Sequence, residues 1–372
     1  MKILLLSAYD ASSHRMWREG LVRHLSAHEW TVLTLPPRMF AWRSRGNALS
    51  WAYGSREILL AGYDRIIATS MTNLAELRGL VPELAGIPTV AYFHENQFAY
   101  PERLARKEGQ NYKLTNLFTA LAADRVVFNS AFNHDTMIEG AVRLLKGFPD
   151  CVPPGIVEDL ASRSAILPVP LPGHCFVEHR QPARSVPLTL VWNHRWEHDK
   201  APERFFAVLF RLADLEAPFR VHVVGQRFRD CPPIFDEARD RLGDHIATWG
   251  FAKDGDDYRR ILQTSDVVVS TALHDFQGLA VLEAVAAGCI PMVPERLAYA
   301  EFFPELFRYP SMPDNVEKEI DELARRLHMM CLDPLAVREI APPSLEWLSW
   351  RTMAGKYEDL LTGVNASRRD KI

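Results

Sequence analysis

Two stretches of this 372-residue chain set cations, carboxylates and glycine in an order suited to holding a phosphate ester. The first is Asn193-His194-Arg195-Trp196-Glu197-His198-Asp199-Lys200, which follows the apolar run Leu188–Trp192 and precedes a helical stretch Pro202–Leu212. A guanidinium, an ammonium and the free N–H groups of a helix start together make a receptor for a diphosphate, although an ordinary charged loop has the same composition. The second stretch is Thr271–Gly288, in which Asp275 leads into Phe276-Gln277-Gly278-Leu279 and Glu283 sits among Ala and Val residues. Gly278 lets the backbone approach a ligand at the start of a helix. Glu283 is a carboxylate in a run that should be buried, which is costly unless it holds a group such as a pair of sugar hydroxyls or forms a structural ion pair.

A third polar cluster, His94-Glu95-Asn96-Gln97-Phe98-Ala99-Tyr100-Pro101, follows the apolar run Thr89–Phe93, and Asn129-Ser130 follows Arg125–Phe128. Ser130 is also a natural helix cap. Cations interleave with an aromatic at Arg38, Trp42, Arg43 and Arg45, and gather again at Arg103, Arg106, Lys107 and Lys113. Such residues can stack on bases and contact phosphates, or simply form a solvated basic face. Other signals are weaker. His194 and His198 have metal-pair spacing but no helix and no third ligand. Asp254-Gly255-Asp256-Asp257 reads as a turn that caps a helix. The chain has no G-x-G-x-x-G, P-loop or G-x-S-x-G motif, so dinucleotide dehydrogenases, P-loop NTPases and α/β-hydrolases lose their usual support.

Short apolar runs that alternate with helical stretches must position these residues. Lys2–Ala8, Thr31–Leu35, Arg65–Thr69, Thr89–Phe93 and Arg125–Phe128 read as parallel strands covered on both faces, with helices such as Ser13–Ala27 and Asn111–Ala123 between them. Prolines then crowd residues 149–187, which reads as a connector without regular helix. Alternation resumes at Leu188–Trp192, Arg220–Val224, His245–Thr248, Asp266–Ser270 and Ile290–Val293. The expectation is an α/β chain of two doubly wound halves, 1–180 and 181–344, with ligand sites at the carboxyl ends of the strands. A last helix is expected at about 345–365.

Composition narrows the class. The net charge of −4 excludes a polybasic coat over the whole chain. Residues 1–150 nevertheless carry 17 basic and 14 acidic side chains, against 26 and 33 beyond them. Five well-spaced cysteines (151, 175, 231, 289 and 331) without a C-x-x-C suit a reduced chain. No apolar run approaches the roughly 18 residues that span a membrane, and the opening Met1–Leu6 is too short for a signal core. A soluble, cytoplasmic protein is expected.

Arg195-x4-Lys200 followed by Asp275-x7-Glu283 in D-F-Q-G-L-A-V-L-E-A-V-A-A-G resembles the donor site of family 4 retaining glycosyltransferases with the GT-B fold. Three further segments, T-L-P-P-R-M-F-A-W-R (34–43), Y-F-H-E-N-Q-F-A-Y-P (92–101) and V-V-F-N-S-A-F-N (126–133), are similar to the tRNA-queuosine mannosyltransferase branch. The resemblance covers roughly 1–145 and 185–295. It implies two Rossmann-like domains facing a central cleft, with a C-terminal helix crossing back to the first. It also implies transfer of mannose from GDP-mannose to the cyclopentenediol of queuosine in tRNA-Asp, with an alpha linkage and without a metal or other cofactor.

On this resemblance Arg195 and Lys200 neutralise the diphosphate of a nucleotide sugar, and Glu283 holds the ribose. Asp275 and the backbone of Phe276, Gln277, Gly278 and Leu279 grip the sugar and its phosphate, with Gly250 and Phe251 near the base. His94 lies beside the anomeric centre. Ser13, His14, Trp42, Arg43, Glu95, Asn96, Gln97, Asn129 and Ser130 are expected on the acceptor side. The chain departs from the family at Asp275, where Glu is usual, at Ala11-Ser12-Ser13-His14, where a Gly-Gly turn is usual, and at His194, where Gly is common. Two other readings keep part of this picture. One is a family 4 transferase with a lipid, glycan or small-metabolite acceptor, although no clear basic amphipathic helix favours a lipid. The other is a catalytically silent protein that binds nucleotide sugar or RNA.

Overall fold

A computed structural model describes residues 1–99, 109–148, 150–177 and 187–364. The chain divides into two compact units, residues 1–170 with 350–372, and 171–349. The first holds six parallel strands, β1 (Lys2–Ser7), β2 (Glu29–Thr34), β3 (Arg65–Thr69), β4 (Thr89–Phe93), β5 (Arg125–Phe128) and β6 (Ser164–Ile166), in the order β2-β1-β3-β4-β5-β6. The second holds β7 (Leu188–Trp192), β8 (Phe219–Val224), β9 (Ile246–Gly250), β10 (Val267–Val269), β11 (Ile290–Pro294) and β12 (Arg308–Tyr309), also parallel, in the order β12-β11-β10-β7-β8-β9.

The central strands are apolar from end to end because helices cover both faces of each sheet. Ile3 to Leu6, Val126 to Phe128 and Val267 to Val269 are all buried. The winding direction reverses between β1 and β3 in the first sheet and between β7 and β10 in the second. In open α/β sheets, ligands bind beyond the carboxyl ends of strands at such reversals. The loops after β7 and β10 carry Arg195, Lys200 and Asp275, so the chemistry-bearing stretches fall at the second reversal.

The proline-rich segment holds more structure than expected. A helix, Ile156–Ser162, and strand β6 occupy the interval between Pro154 and Pro168, where no proline interrupts. Asp254 does cap the helix Gly255–Thr264, its carboxylate accepting from the backbone N–H of Asp256 at 2.9 Å. The last helix runs Trp350–Thr362, after a 3-10 turn at Glu346–Leu348, and packs within the first unit. There Trp17 Nε1 donates to Tyr357 Oη at 3.1 Å, and Trp350 stacks on His24 with ring centroids 5.2 Å apart. Among the described residues, which include all five cysteines, no disulfide forms. Among the described residues no helix is long and apolar enough to cross a membrane.

Candidate active site

In the second unit the loops after β7 and β10 are tied together. Asp199 accepts through its backbone carbonyl from Leu273 N at 2.8 Å, and Thr271 Oγ1 donates to the carbonyls of Lys200 and Ala201 at 3.0 Å. Lys200 is buried between them. Its Nζ donates to the His274 carbonyl at 2.6 Å and lies 3.1 Å from Asp199 Oδ2 and 3.6 Å from Asp275 Oδ2. Burial works against this ammonium, but Asp275 and Asp199 outweigh it and hold the amine above its ordinary value. The same balance, with the signs reversed, governs Asp275. Burial would raise its carboxyl, yet Lys200, the two neighbouring histidines and the Gly278 N–H draw it below the usual range.

Asp275 Oδ1 accepts from Gly278 N at 3.1 Å, and Tyr299 Oη reaches its Oδ2 at 3.3 Å. Gly278 has φ +75°, and a side chain there would meet the Tyr299 ring at 2.7 Å, so the turn into the helix Leu279–Ala286 needs glycine on both counts. Burial also pushes the His194 and His274 imidazoles down to about 4, which keeps them neutral beside Lys200. Arg195 stands at the rim with an exposed side chain, 3.0 Å from Glu197. The result is a buried cation held by two carboxylates, a second, exposed cation beside it, and the start of a helix. Two cations beside a helix start are an arrangement that can receive a diphosphate.

Glu283 lies further along the helix Leu279–Ala286, where Tyr258 Oη donates to its Oε2 at 3.1 Å. Burial pushes its carboxyl up to about 7, with Tyr258 pulling the other way. At the end of β9, Gly250 takes φ +113°, and Phe251 beyond it is 62% exposed. The side chains of Phe276 and Gln277 are buried, which leaves that stretch its backbone to offer.

In the first unit His94 is buried in an aromatic cage, with ring centroids 4.1 Å from His14, 4.7 Å from Trp17 and 4.7 Å from Tyr92. Burial, reinforced by the neighbouring His14, holds its imidazole well below 6.5. Ala11, where the family has glycine, takes φ −64° as the residue before the helix Ser12–His24, a conformation open to any residue.

The N-terminal portion, residues 2–171, matches the family model described as tRNA-queuosine alpha-mannosyltransferase N-terminal. The tRNA-queuosine alpha-mannosyltransferase of Drosophila melanogaster is 30% identical over 349 residues, which cover 91% of this chain and 89% of the fly protein. The chain belongs to the tRNA-queuosine alpha-mannosyltransferase family. Its fold is that of GT-B glycosyltransferases. Sucrose-phosphate synthase from Thermosynechococcus elongatus superposes with a TM-score of 0.70 at 13% identity, over 98% of both chains. Anabaena HepE in complex with UDP and glucose superposes with a TM-score of 0.68 at 14% identity, over 98% of this chain and all of the other. The protein is therefore a glycosyltransferase of this family.

Membership sharpens what the structure does with the residues expected on the acceptor side. Asn96, Asn129 and Ser130 do not present free groups. Asn96 Nδ2 donates to Asn133 Oδ1 at 2.9 Å while its Oδ1 accepts from Phe98 N at 2.8 Å. Asn129 Nδ2 donates to the His94 carbonyl at 2.9 Å, and Ser130 Oγ accepts from Asn133 N at 3.0 Å as a helix cap. All three are buried, so they shape the loop that carries His94. Gln97 is fixed through its backbone N–H, which donates to Asn116 Oδ1 at 2.7 Å.

Ser13, Glu95 and Arg43 are half-buried, and His14 is buried against His94. Trp42 is 51% exposed and folds its indole over Gly46, one turn along the helix Phe40–Gly54. Arg45 bonds Glu76 at 3.1 Å and Thr115 Oγ1 at 3.0 Å. Arg103, Arg106 and Lys107 lie outside the described residues.

Asp199, Asn193, Tyr258, Arg296 and Glu319 carry no role in the sequence reading. Asp199 is adjacent to Lys200 in sequence, and that adjacency is the one local signal of its counter-charge. Tyr258 is 25 residues from Glu283, and only the rule that a buried carboxylate needs a donor pointed to such a partner.

Proposed function

We propose that this chain transfers mannose from GDP-mannose to the cyclopentenediol of queuosine in tRNA, with tRNA-Asp as the acceptor and an alpha linkage in the product. The observation that carries the reading is Lys200, sealed between Asp199 and Asp275 where the second sheet reverses its winding. In this reading Lys200 and Arg195 meet the diphosphate and stabilise the negative charge that develops on the leaving group, an electrostatic task that requires no metal here. Glu283 takes the ribose hydroxyls, Gly250 and Phe251 border the base, and Asp275 with the backbone from Phe276 to Leu279 holds the sugar. His94 meets the transferred sugar as a neutral imidazole. Ser13, His14, Trp42, Arg43, Glu95 and Gln97 serve the acceptor. Arg43 and the exposed Trp42 suit an RNA, which offers phosphates and stackable bases.

Mass spectrometry of nucleosides from queuosine-containing tRNA-Asp, incubated with protein and GDP-mannose, tests the whole reading. The expected result is one added hexose on queuosine, unaffected by EDTA and abolished in Lys200→Ala. Absence of transfer with GDP-mannose still bound or hydrolysed would remove the tRNA from the proposal. Transfer unchanged in both Lys200→Ala and Arg195→Ala would remove the assigned donor site.

A further inference from the structure

Beside Glu283 the second unit contains a cavity of about 150 Å³, walled in part by His174, Cys175, Tyr258, Arg259, Gln263 and Glu283. Tyr258 stands near the start of the helix Gly255–Thr264, and Glu283 is on the helix Leu279–Ala286, so the phenol bridges two helices. Its oxygen lies 3.0 Å from Asn193 Nδ2 and 3.1 Å from Glu283 Oε2. Asn193 belongs to a third element, the loop after β7, and its Nδ2 also donates to the Ala280 carbonyl at 2.6 Å.

This geometry leaves the phenol proton little choice. An amide nitrogen only donates, and an ionised carboxylate only accepts. Tyr258 must therefore accept from Asn193 and direct its single proton at Glu283. One carboxylate oxygen is thereby occupied by the protein, and the other stays available to a ligand.

We propose that Tyr258 is a positioning residue for nucleotide-sugar binding: oriented by Asn193, its hydroxyl occupies Glu283 Oε2, keeps that group an acceptor, and leaves Oε1 for the vicinal hydroxyls of the donor's ribose. The proposal rests on the reading of the second unit as the donor site. An ionised carboxylate can accept from both hydroxyls of a diol, whereas a protonated Glu283 turns one of its oxygens into a donor and gives up one such acceptor.

The surroundings make this ionisation sensitive. Burial pushes Glu283 up to about 7, and the Tyr258 hydrogen bond is the force that opposes it. Of the other titratable groups at the cavity, burial and the Glu283 charge push the Cys175 thiol far above its ordinary value, so it stays neutral. His174 and Arg259 complete that wall. Tyr258 itself is held well above 10 by burial and the Glu283 charge, so it keeps its proton.

The test is calorimetric titration of the full-length protein with GDP and 2′-deoxy-GDP, UDP and 2′-deoxy-UDP in parallel, between pH 6 and 8.5. In the parent, affinity for the ribonucleotide should rise with pH through about 7. Tyr258→Phe, which removes one oxygen and keeps the ring, should weaken ribonucleotide binding about tenfold at pH 7, the loss of one hydrogen bond to a charged group. It should also move the pH midpoint upward and leave the 2′-deoxynucleotide nearly unaffected. Asn193→Leu, which frees the phenol to turn, should act in the same direction. A Tyr258→Phe protein that keeps both the parental preference for ribose and the parental midpoint overturns the proposal. If Lys200→Ala loses nucleotide at the same time, the donor-site reading stands without it. If the folded parent binds no nucleoside diphosphate, both fall together.

Discussion

Glu319 offers the sharpest quantitative test of how the surroundings of Lys200 and Asp275 are held. It is 2% exposed, yet its two oxygens accept four hydrogen bonds: two from Arg296 Nη1 at 2.9 and 3.0 Å, one from Arg204 Nη1 at 2.6 Å and one from Met312 N at 2.7 Å. Burial would raise its carboxyl, but the Met312 N–H and the two guanidiniums bring it below its ordinary value. Arg296 donates onward to the Ala272 and Thr271 carbonyls at 2.8 and 2.9 Å, and Arg204 stands on the helix that follows Lys200. One carboxylate thus braces the loop after β10 and the helix that follows Lys200. Removing one member of a buried ion pair costs about 3–5 kcal/mol, because the partner charge is stranded. Glu319→Ala strands two guanidiniums and should reach the top of that range. Glu319→Gln keeps a carbonyl acceptor and the shape, and should cost about 2–3 kcal/mol. For a unit of this size each kcal/mol lowers the melting temperature by roughly 2–4 °C, so scanning calorimetry should show a fall of about 4–12 °C in one transition for Glu319→Gln. Nucleotide affinity should fall with it. A Glu319→Gln protein within about 1 kcal/mol of the parent would refute the reasoning, since it would mean that the two guanidiniums find other partners.

Gly278→Ala adds a side chain at φ +75° and against the Tyr299 ring, whose hydroxyl also holds Asp275. It should cost about 1–2 kcal/mol and raise the KM for nucleotide sugar several-fold; a variant as stable and as tight-binding as the parent contradicts the geometry. His14 is held near 4 by burial, against an ordinary value of 6.5. Between those values the unfolded chain binds the proton that the folded chain refuses. Its share of stability is therefore complete above about pH 6.5 and drains away as the pH falls towards 4. His14→Gln should make unfolding free energy less steep in pH across that window by up to one proton, as urea titrations would show; identical slopes would place the His14 ring in water.

Much of this architecture is legible in the residues. Strands such as Arg65–Thr69, Thr89–Phe93 and Leu188–Trp192 are found where their apolar runs lie, because central strands of a parallel sheet have no polar face to confuse the pattern. The edge strands β6 and β12 escape detection for the opposite reason: they are three and two residues long and partly polar. At the site, local patterns reveal Lys200, Asp275 and Glu283 as unusual. They do not reveal what each one touches, since Tyr258 reaches Glu283 across 25 residues and Glu319 reaches Arg204 across 115. The asparagines of the first unit show the converse limit. Polar density after β4 reads as an open binding loop, yet Asn96 and Asn129 spend their amides building it. Composition counts hydrogen-bonding groups without telling which are already engaged.

The division of the chain also dictates an order of manufacture. The second unit, 171–349, is encoded as an insertion between two pieces of the first. During translation it emerges complete while the first still lacks the helix Trp350–Thr362. Until that helix arrives, the Trp17 indole N–H has no Tyr357 oxygen to meet, and the surface at Gly20 and His24 that receives Trp350 lies bare. A nascent chain therefore carries a finished second unit on an unfinished first, and a segment made late closes one begun early.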